Sequence, residues 1–446
     1  MNRLGPRVVV AGTSSGAGKT TVATALMAAL RKAGRKVASA KVGPDYIDPG
    51  YHALATGRPP RNLDAWICGA EAIPPLAGRA SAGADILVVE GVMGLFDGAS
   101  EDGSASTAHV ARLLDAPIVL VVDGSAMSGS VAAIVHGFAT YDPTVRVAGV
   151  ILNRVGSDGH EVLLREAVAT TGVPVVGVLR RHEAFTWRDR HLGLVPVVEQ
   201  HETVRESVDR LAVAVAEGCD VEAIVGLARA APERDVDSPP AASPSGRARI
   251  AVAVGKAFSF VYPDNLEAFE AAGAELVPFD PLVDERLPEG CDGLYAGGGF
   301  PEVFAPALAA NASLLDDVRR RVAAGLPTWG ECGGLLWLGR SLDGHAMVGA
   351  VAGEARMTER LSLGYRRGVV RVSNPVVEAG ETLVGHEFHY SVMEPTGEAL
   401  DLTGRFGSGP GGFASPTLLA TYLHLHLGGD PRPAERFVAT AAAGRP

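Results

Sequence analysis

The residues with the clearest chemical signature lie near the start of the chain, in the stretch AGTSSGAGKTT. Phosphate-binding loops commonly read G-x-x-x-x-G-K-[ST], and the residues at 18–20 supply the end of that pattern. The first glycine, Gly12, stands one position too early, and Thr13 occupies its usual place. The pattern predicts a phosphate loop lengthened by one residue, which binds through its backbone N–H groups.

Side chains in and near this loop predict an ATP site. Lys19 supplies a positive charge, and the hydroxyl of Thr20 is a ligand for Mg²⁺. Asn153 follows a later strand, in ILNRVG, where an amide can read an adenine edge. A tightly packed turn without a ligand is the alternative, which the GKTT ending argues against. The predicted ATP-binding set also includes Thr13, Gly16, Gly18, Thr21 and Lys41.

Acidic and basic side chains follow several predicted strands. KVGPDYIDPGYH places Lys41, Asp45 and Asp48 in one loop, Glu90 ends ILVVE, and Asp97 follows in GVMGLFDG. In an open α/β sheet, the loops at the carboxyl ends of the strands meet at the crevice where ligands bind. We therefore expect these groups to surround the nucleotide.

Their chemistry predicts a division of roles. Hard cations take oxygen ligands, so Thr20, Asp45 and Glu90 are predicted to hold Mg²⁺. Lys19 and Lys41 are predicted to face the charge of a transferring γ-phosphate. For each carboxylate alone an ordinary structural role is the alternative: Glu90 can cap a helix, and the aspartates of PDYIDP can bond their own backbone.

A second chemical signature is the sequence GECGG at 330–334, between a predicted strand and a predicted helix. Glycines on both sides of Cys332 permit the sharp turn of a nucleophile elbow, and a helix N-terminus lowers the pKa of a thiol. The N–H of Gly333 can stabilise an oxyanion, as can the glycine-rich strand exit that contains Gly298 and Gly299.

A thiol nucleophile requires a base, and a histidine is the usual one. GHEFHYS offers His386 and His389, while ATYLHLHLGG offers His424 and His426. Metal ligation by the H-x-H pair is an alternative, but no cysteine or carboxylate lies at a matching spacing.

The chain reads as two α/β domains. From residue 7 to about 230, alanine-rich stretches alternate with apolar runs that are typical of a parallel sheet covered on both faces: RVVVAG, KVASAKVG, ADILVVEG, APIVLVVDG, RVAGVILNRVG and VPVVGVLRR. This pattern predicts a doubly wound domain over 1–230. Residues 231–247 are rich in Pro, Ser and charge, and predict a linker. The alternation then resumes with RIAVAVG, AELVPFD, DGLYAGGG and PTWGECGG, and predicts a second domain over 248–446.

Composition excludes several kinds of partner. The net charge of −11 disfavours nucleic acid and anionic membranes, and the longest apolar runs have only the length of a strand. The four cysteines form no C-x-x-C pair, which indicates a reducing compartment. We expect a cytoplasmic enzyme, with a homodimer as an open possibility.

The two signatures together predict an amidotransferase. A thiolate site of this kind forms an acyl-enzyme, and a nucleotide site with lysines and carboxylates transfers phosphate. Cys332 would release ammonia from glutamine, while ATP converts a substrate carboxylate into an acyl phosphate that ammonia attacks. The lengthened loop would leave the γ-phosphate open to that carboxylate.

The chain resembles a known family almost from end to end. Its loop resembles that of dethiobiotin synthetase, and the whole chain resembles the cobyrinic acid or hydrogenobyrinic acid a,c-diamide synthases of corrin biosynthesis. The stretches that carry this resemblance are KVGPDYIDPGYH, RNLD at 61–64, VVEGVMGLFDG, RHLGL at 190–194, FSFVYPDNLE, GGGFPE, ECGGLLWLG, GHEFHYS and TYLHLHLG.

The resemblance implies amidation of the a and c carboxylates of a corrin ring with ATP and glutamine, in a synthetase domain joined to a class I glutamine amidotransferase-like domain. It implies that Cys332 is the nucleophile and that His424 activates it. It further implies that the ATP and corrin carboxylates lie near Asp45, Tyr46, Ile47, Asp48, Glu90 and Asp97.

Two departures and two alternatives accompany the resemblance. Many family members carry an Asp where this chain has Gly255, and the usual triad ends H-x-E, whereas position 426 is His. The third member of the glutaminase site is therefore unassigned. The close alternative is a cobyric acid synthase, which amidates other carboxylates of the ring. The distant one is a P-loop switch ATPase, whose signature lysine would stand at Ser14.

Overall fold

The computed structural model divides the chain into two compact units, residues 1–239 and 240–446. Of the RHLGL stretch, His191 and Leu192 lie outside the described part of the chain. The structure describes residues 2–100, 103–181, 189–190, 193–194, 197, 201–405 and 407–444.

The first unit alternates strands and helices. Its strands are β1 (Asn2–Leu4), β2 (Arg7–Gly12), β3 (Val37–Val42), β4 (Arg61–Leu63), β5 (Ile86–Glu90), β6 (Ile118–Asp123), β7 (Val147–Val155), β8 (Val175–Arg180), β9 (Asp189–Arg190), β10 (Gly193–Leu194) and β11 (Arg234–Val236). Its helices are α1 (Lys19–Lys32), α2 (Asp48–Thr56), α3 (Ile73–Ser81), α4 (Thr107–Leu114), α5 (Ser130–Thr140), α6 (Asp158–Ala169), α7 (His201–Gly218) and α8 (Val221–Arg229).

Seven strands of this unit form one parallel sheet in the order β4-β3-β5-β2-β6-β7-β8. Every residue of β2, β3 and β5 is buried, as continuous apolar runs predict for a sheet covered on both faces. The predicted parallel sheet is confirmed. Because β2, β3 and β5 are parallel neighbours, the phosphate loop, the Lys41 loop and Glu90 lie together at the carboxyl ends of these strands.

The segment that composition marks as a linker begins with ordered structure. β11 pairs antiparallel with β1, and Val236 opposite Asn2 is buried. A Cβ atom on Gly78 of α3 would lie 2.5 Å from Val236 Cγ2, so this valine packs closely on that helix. A single apolar side chain in a polar stretch shows no alternation of apolar and polar residues, so the sequence does not predict this strand.

The second unit carries a larger share of strands. They are β12 (Ala248–Ala253), β13 (Ala274–Phe279), β14 (Gly293–Ala296), β15 (Thr328–Glu331), β16 (Ser341–Leu342), β17 (His345–Ala346), β18 (Glu354–Val370), β19 (Thr382–Glu394), β20 (Leu400–Gly404), β21 (Gly407–Gly411), β22 (Phe413–Ser415) and β23 (Leu418–Thr421). The helices are α9 (Pro263–Ala271), α10 (Ala305–Ala310), α11 (Ala312–Ala323), α12 (Gly333–Leu338) and α13 (Arg432–Ala443).

Two sheets build this unit. The central sheet runs β13-β12-β14-β15-β23-β22 and is parallel except for β22, and all four strands predicted here are present in it. The second sheet is built around the long pair β18 and β19, which was not predicted. Trp329 of β15 packs edge-on against Phe269 and Phe437, and so fixes the strand that ends at the predicted nucleophile.

Among the described residues, no helix combines the length and the apolar character that crossing a membrane requires.

Candidate active sites

The phosphate loop wraps around the stem of its lysine. A Cβ atom on Gly12 would lie 2.7 Å from Lys19 Cγ, closer than nonbonded carbons approach, so a larger residue at position 12 would displace the lysine. Lys19 is buried, and its Nζ donates to the carbonyl oxygen of Ser14 at 3.2 Å. Burial, followed by the charge of Lys41, lowers the Lys19 pKa. The glycine that stands one position early in the pattern thus makes room for Lys19, which the sequence predicts to contact phosphate.

Glu90 joins three side chains of the first site. Its Oε1 accepts hydrogen bonds from Thr20 Oγ1 at 2.6 Å and from Lys41 Nζ at 2.8 Å. Its Oε2 lies 2.6 Å from Nε2 of His52, a fully buried residue of α2. Burial alone would raise the pKa of Glu90, but Lys41 and His52 hold it below its usual range.

Asp48 completes the cluster. Its Oδ2 accepts from Lys41 Nζ at 2.7 Å and from Thr20 Oγ1 at 3.2 Å. Burial tends to lower the pKa of Lys41, but Asp48 and Glu90 raise it above its usual value. Burial, followed by the charge of Asp45, raises the pKa of Asp48. The ammonium group of Lys41 therefore lies among three carboxylates, those of Asp48, Glu90 and Asp45.

The structure gives Asp45 a backbone role. Its Oδ1 accepts from the N–H groups of Ile47 at 2.7 Å and Asp48 at 3.0 Å, which is the structural alternative considered for PDYIDP. The Thr20 hydroxyl contacts Asp48 and Glu90, whereas the sequence predicts Asp45 and Glu90 as its neighbours. Ile47 is buried and Tyr46 is half-buried in the same turn.

Two further predicted residues contact the phosphate loop. The Asn153 amide donates to the carbonyl oxygen of Ala17 at 3.0 Å, so this group is used to hold the loop. Asp97 is exposed and accepts from the N–H of Gly94 at 2.8 Å in a partly buried turn. The N–H of Leu95 in that turn donates to the Gly12 carbonyl oxygen at 2.9 Å and ties the turn to the loop.

Two buried residues of this site have no role predicted from the sequence. His52 holds Glu90, as described above, and Asn62 donates to the carbonyl oxygens of Gly43 at 2.8 Å and Asp45 at 2.7 Å. Both occur in stretches that carry the family resemblance, KVGPDYIDPGYH and RNLD. Their presence in these motifs is the sequence signal from which a role in the site could have been predicted.

The second site is built on the turn at Cys332. This residue has a φ of 47°, in the left-handed region that a non-glycine residue rarely adopts, and α12 begins directly after it. A Cβ atom on Gly333 would lie 3.0 Å from the Gly299 nitrogen, so the turn packs against the strand exit that follows β14. The predicted strand, turn and helix of a nucleophile elbow are present.

The expected low pKa of the thiol is wrong for this structure. Burial, followed by the charge of Glu302, raises the Cys332 pKa, and the backbone hydrogen bond at Gly333 opposes this only in part. The charges of Glu387 and Glu331 act in the same direction as burial. The thiol thus needs a base to deliver a thiolate to the substrate.

His424 is the histidine placed beside the elbow. A Cβ atom on Gly298 would lie 2.4 Å from His424 Cε1, and Gly298 in turn lies against Gly333. Burial, followed by the charge of His389, lowers the His424 pKa to about 3. The imidazole is therefore neutral near pH 7.

The other candidate histidines surround this one or lie beyond it. His386 stacks on His424 with ring centroids 4.9 Å apart, and the backbones of the two residues exchange hydrogen bonds. His389 stacks on Tyr422 at 3.7 Å. His426 packs on the Tyr262 ring with the ring centroids 4.4 Å apart, and its Nε2 lies 3.8 Å from Oδ2 of Asp264.

The position of the imidazole predicts a sensitive substitution. Replacing Gly298 by alanine should push the His424 ring away and lower the glutamine-dependent rate by about 100-fold, because small misplacements of a reacting group cost that much. Activity with ammonia should be unchanged. Gly409→Ala, at an open position in the same unit, is the control. A Gly298→Ala variant with a normal glutamine-dependent rate would contradict the predicted contact.

Two known domain families match the chain. Residues 8–195 match the family described as the CobQ/CobB/MinD/ParA nucleotide binding domain. Residues 249–432 match the CobB/CobQ-like glutamine amidotransferase domain. The chain thus joins a nucleotide-binding domain to a glutamine amidotransferase domain, which confirms the predicted fold class.

Curated relatives resemble the whole chain. The hydrogenobyrinate a,c-diamide synthase of Streptomyces coelicolor is 50% identical, over 97% of this chain and 97% of that protein. The protein of the same name from Thermobifida fusca is 47% identical, over 99% and 98%. The cobyrinate a,c-diamide synthase of a Synechococcus species is 41% identical, over 95% and 96%. The chain belongs to this family of a,c-diamide synthases, as its motifs predicted.

Proposed function

We propose that this enzyme uses ATP and glutamine to amidate the a and c carboxylates of a corrin ring, hydrogenobyrinate or cobyrinate. The observation that carries the proposal is the presence of two candidate sites in one chain. One is a phosphate loop whose threonine contacts Glu90, and the other is a cysteine elbow beside a buried histidine. The names of the curated relatives support the same substrates.

The synthetase step belongs to residues 1–230. Lys19 and the loop N–H groups bind the ATP phosphates, and Lys41 faces the γ-phosphate. A carboxylate oxygen of the corrin attacks the γ-phosphorus, the bond to the bridging oxygen of ADP breaks, and an acyl phosphate forms. Tyr46, Ile47, Asp48 and Asp97 are the residues proposed near the substrate.

Mg²⁺ fits the charge of this cluster. Thr20, Asp45, Asp48 and Glu90 offer the hard oxygen donors that Mg²⁺ prefers, and three of these four side chains are carboxylates. Thr20, Glu90 and one of the two aspartates would hold the ion. When bound, it would neutralise charge on the phosphates.

The proposed cation site makes His52 testable. Replacing His52 by asparagine removes the partner of Glu90 Oε2, and such outer partners typically affect metal affinity by about tenfold or more. We expect the Mg²⁺ concentration for half-maximal ATP-dependent amidation to rise by about tenfold. Glutamine hydrolysis should be unchanged. His136→Asn, on an exposed face of α5, is the control. An unchanged Mg²⁺ dependence would remove His52 from the site.

The glutaminase step belongs to residues 248–446. His424 takes the thiol proton, and the sulfur of Cys332 attacks the glutamine side-chain carbon. The N–H groups of Gly299 and Gly333 are proposed to stabilise the oxyanion, with Gly298 shaping the same strand exit. His424 gives the proton to the leaving nitrogen, ammonia departs, and water hydrolyses the thioester to glutamate.

Ammonia then attacks the acyl phosphate, and the amide forms as phosphate leaves. Mass spectrometry of the products from hydrogenobyrinate, cobyrinate and the cobyric acid synthase substrate tests this assignment. We expect a,c-diamide from one or both of the first two. Product from only the third would favour the cobyric acid synthase alternative. A cytoplasmic location, a homodimer and residues 231–247 as a linker stay predictions.

A further inference from the structure

We infer that Glu331, the residue immediately before the nucleophile, positions His424 for proton transfer in the glutaminase site. This inference rests on the proposed glutaminase function and supplies the third member that the sequence leaves unassigned. In the H-x-E pattern the carboxylate stands two residues after the histidine, and this chain has His426 there. The structure offers a carboxylate from a different strand.

Glu331 lies at the ring nitrogen that a positioning group must reach. It ends β15, and its Oε2 lies 3.9 Å from Nδ1 of His424. Both side chains are about 1% exposed. Catalytic hydrogen bonds are commonly long before the substrate is bound, and a small rotation of the ring would close this one.

The two ring nitrogens of His424 face different neighbours. Gly298 approaches the ring at Cε1, and a Cβ atom at that glycine would lie 3.3 Å from Nε2. Gly298 also lies against Gly333 of the elbow. Nε2 is thus on the side of the elbow, while Nδ1 is on the side of Glu331. A hydrogen on Nδ1 that is directed at Glu331 leaves Nε2 unprotonated and able to take the thiol proton.

The Glu331 carboxyl group is itself held in place. Its Oε2 accepts from the Tyr295 hydroxyl at 3.1 Å, and its Oε1 accepts from the N–H of Leu425 at 3.3 Å. Leu425 is adjacent to His424, and Asn265 holds the same segment by donating to the Leu425 carbonyl oxygen at 2.8 Å. Carboxyl group and imidazole are therefore fixed relative to each other by the backbone between them.

A carboxylate beside His424 would stabilise the positive charge that forms on its ring during the reaction. When His424 accepts the thiol proton, a cation forms in a buried site whose neighbours include the neutral rings of His386 and His389. Burial raises the pKa of Glu331 to about 8, so its ionised fraction increases as the pH rises towards that value. The ionised form stabilises the imidazolium by direct attraction.

The test is a set of full-length variants assayed for glutamine hydrolysis. Glu331→Gln keeps the size and the acceptor oxygen but cannot ionise, and at a pH above about 8, where Glu331 is largely ionised, we expect kcat to fall by about 100-fold or more with KM for glutamine unchanged. Amidation supported by ammonia should stay near the wild-type rate. Glu331→Asp restores the charge at a shorter reach, and should recover part of the lost kcat.

Two further measurements separate positioning from a structural role. The rate at which iodoacetamide alkylates Cys332 should rise with pH in the wild type, and Glu331→Gln should shift that profile to higher pH. Tyr295→Phe, which removes one donor but keeps the carboxyl group, should cost less than tenfold in kcat, on the order of one lost hydrogen bond.

The inference is overturned if Glu331→Gln hydrolyses glutamine at nearly the wild-type rate, or if Glu331→Asp is no better than Glu331→Gln. It is also overturned if the ammonia-supported rate falls equally, because this would show a structural role. Failure of the proposed function looks different: the wild type itself would then hydrolyse no glutamine. A wild type that hydrolyses glutamine beside a fully active Glu331→Gln variant would overturn only this inference.

Discussion

Replacing Cys332 by alanine is expected to lower amidation with glutamine by about a thousandfold or more, because no other group can form the thioester. Amidation with added ammonia should stay close to the wild-type rate. The physical reason is that the substitution removes only the source of nitrogen and leaves the ATP-dependent activation of the carboxylate intact. Product formation with each nitrogen source, followed by mass spectrometry, measures both rates.

The Cys332 substitution has a natural control in the same unit. Cys291→Ala removes another buried thiol, which accepts a hydrogen bond from Arg321 at 3.0 Å, and should keep both activities. Loss of the glutamine and ammonia activities together in Cys332→Ala would contradict the proposed division of labour. Retention of the glutamine activity would exclude this cysteine as the nucleophile.

Replacing Lys19 by alanine should have the converse effect. The rate of amidation should fall by about 100-fold or more with glutamine and with ammonia alike, because the phosphates lose a preorganised positive charge. Glutamine hydrolysis should persist, since the glutaminase residues are untouched. ADP release and glutamate release, assayed separately, distinguish these two outcomes.

Lys36→Ala is the matched control for Lys19, because Lys36 is exposed and follows the same helix. It should leave every rate unchanged. A Lys19→Ala variant that consumes ATP at the normal rate during amidation would show that the lengthened loop is not the phosphate site.

The sequence allowed most of the two central sheets to be predicted, because their strands are buried on both faces and therefore read as continuous apolar runs. β4 spans only three residues, which is too short for such a run. The long strands β18 and β19 were missed for a different reason. Residues such as Arg366 and Glu387 pair across these strands and place charge within them, which hides the apolar pattern.

The candidate sites were predicted as far as motif and strand order allow. Thr20, Lys41 and Glu90 come together because their strands are neighbours in the sheet. The choice between Asp45 and Asp48 at Thr20 depends on the path of one turn, which spacing does not specify. The contact of His52 with Glu90 and the approach of Glu331 to His424 arise only in the folded chain. The prediction of a low Cys332 pKa is wrong because burial raises this pKa, and burial depends on the packing of the whole unit.

The most direct test of the central claim is the origin of the amide nitrogen. The purified enzyme would be incubated with ATP, the corrin substrate and glutamine that carries ¹⁵N in its side-chain amide. No ammonia would be added. Mass spectrometry should show a diamide that carries both labels, formed only when ATP is consumed. A product without the label, or labelled product formed without ATP, would contradict the coupling of a cysteine glutaminase to an ATP-dependent synthetase in one chain.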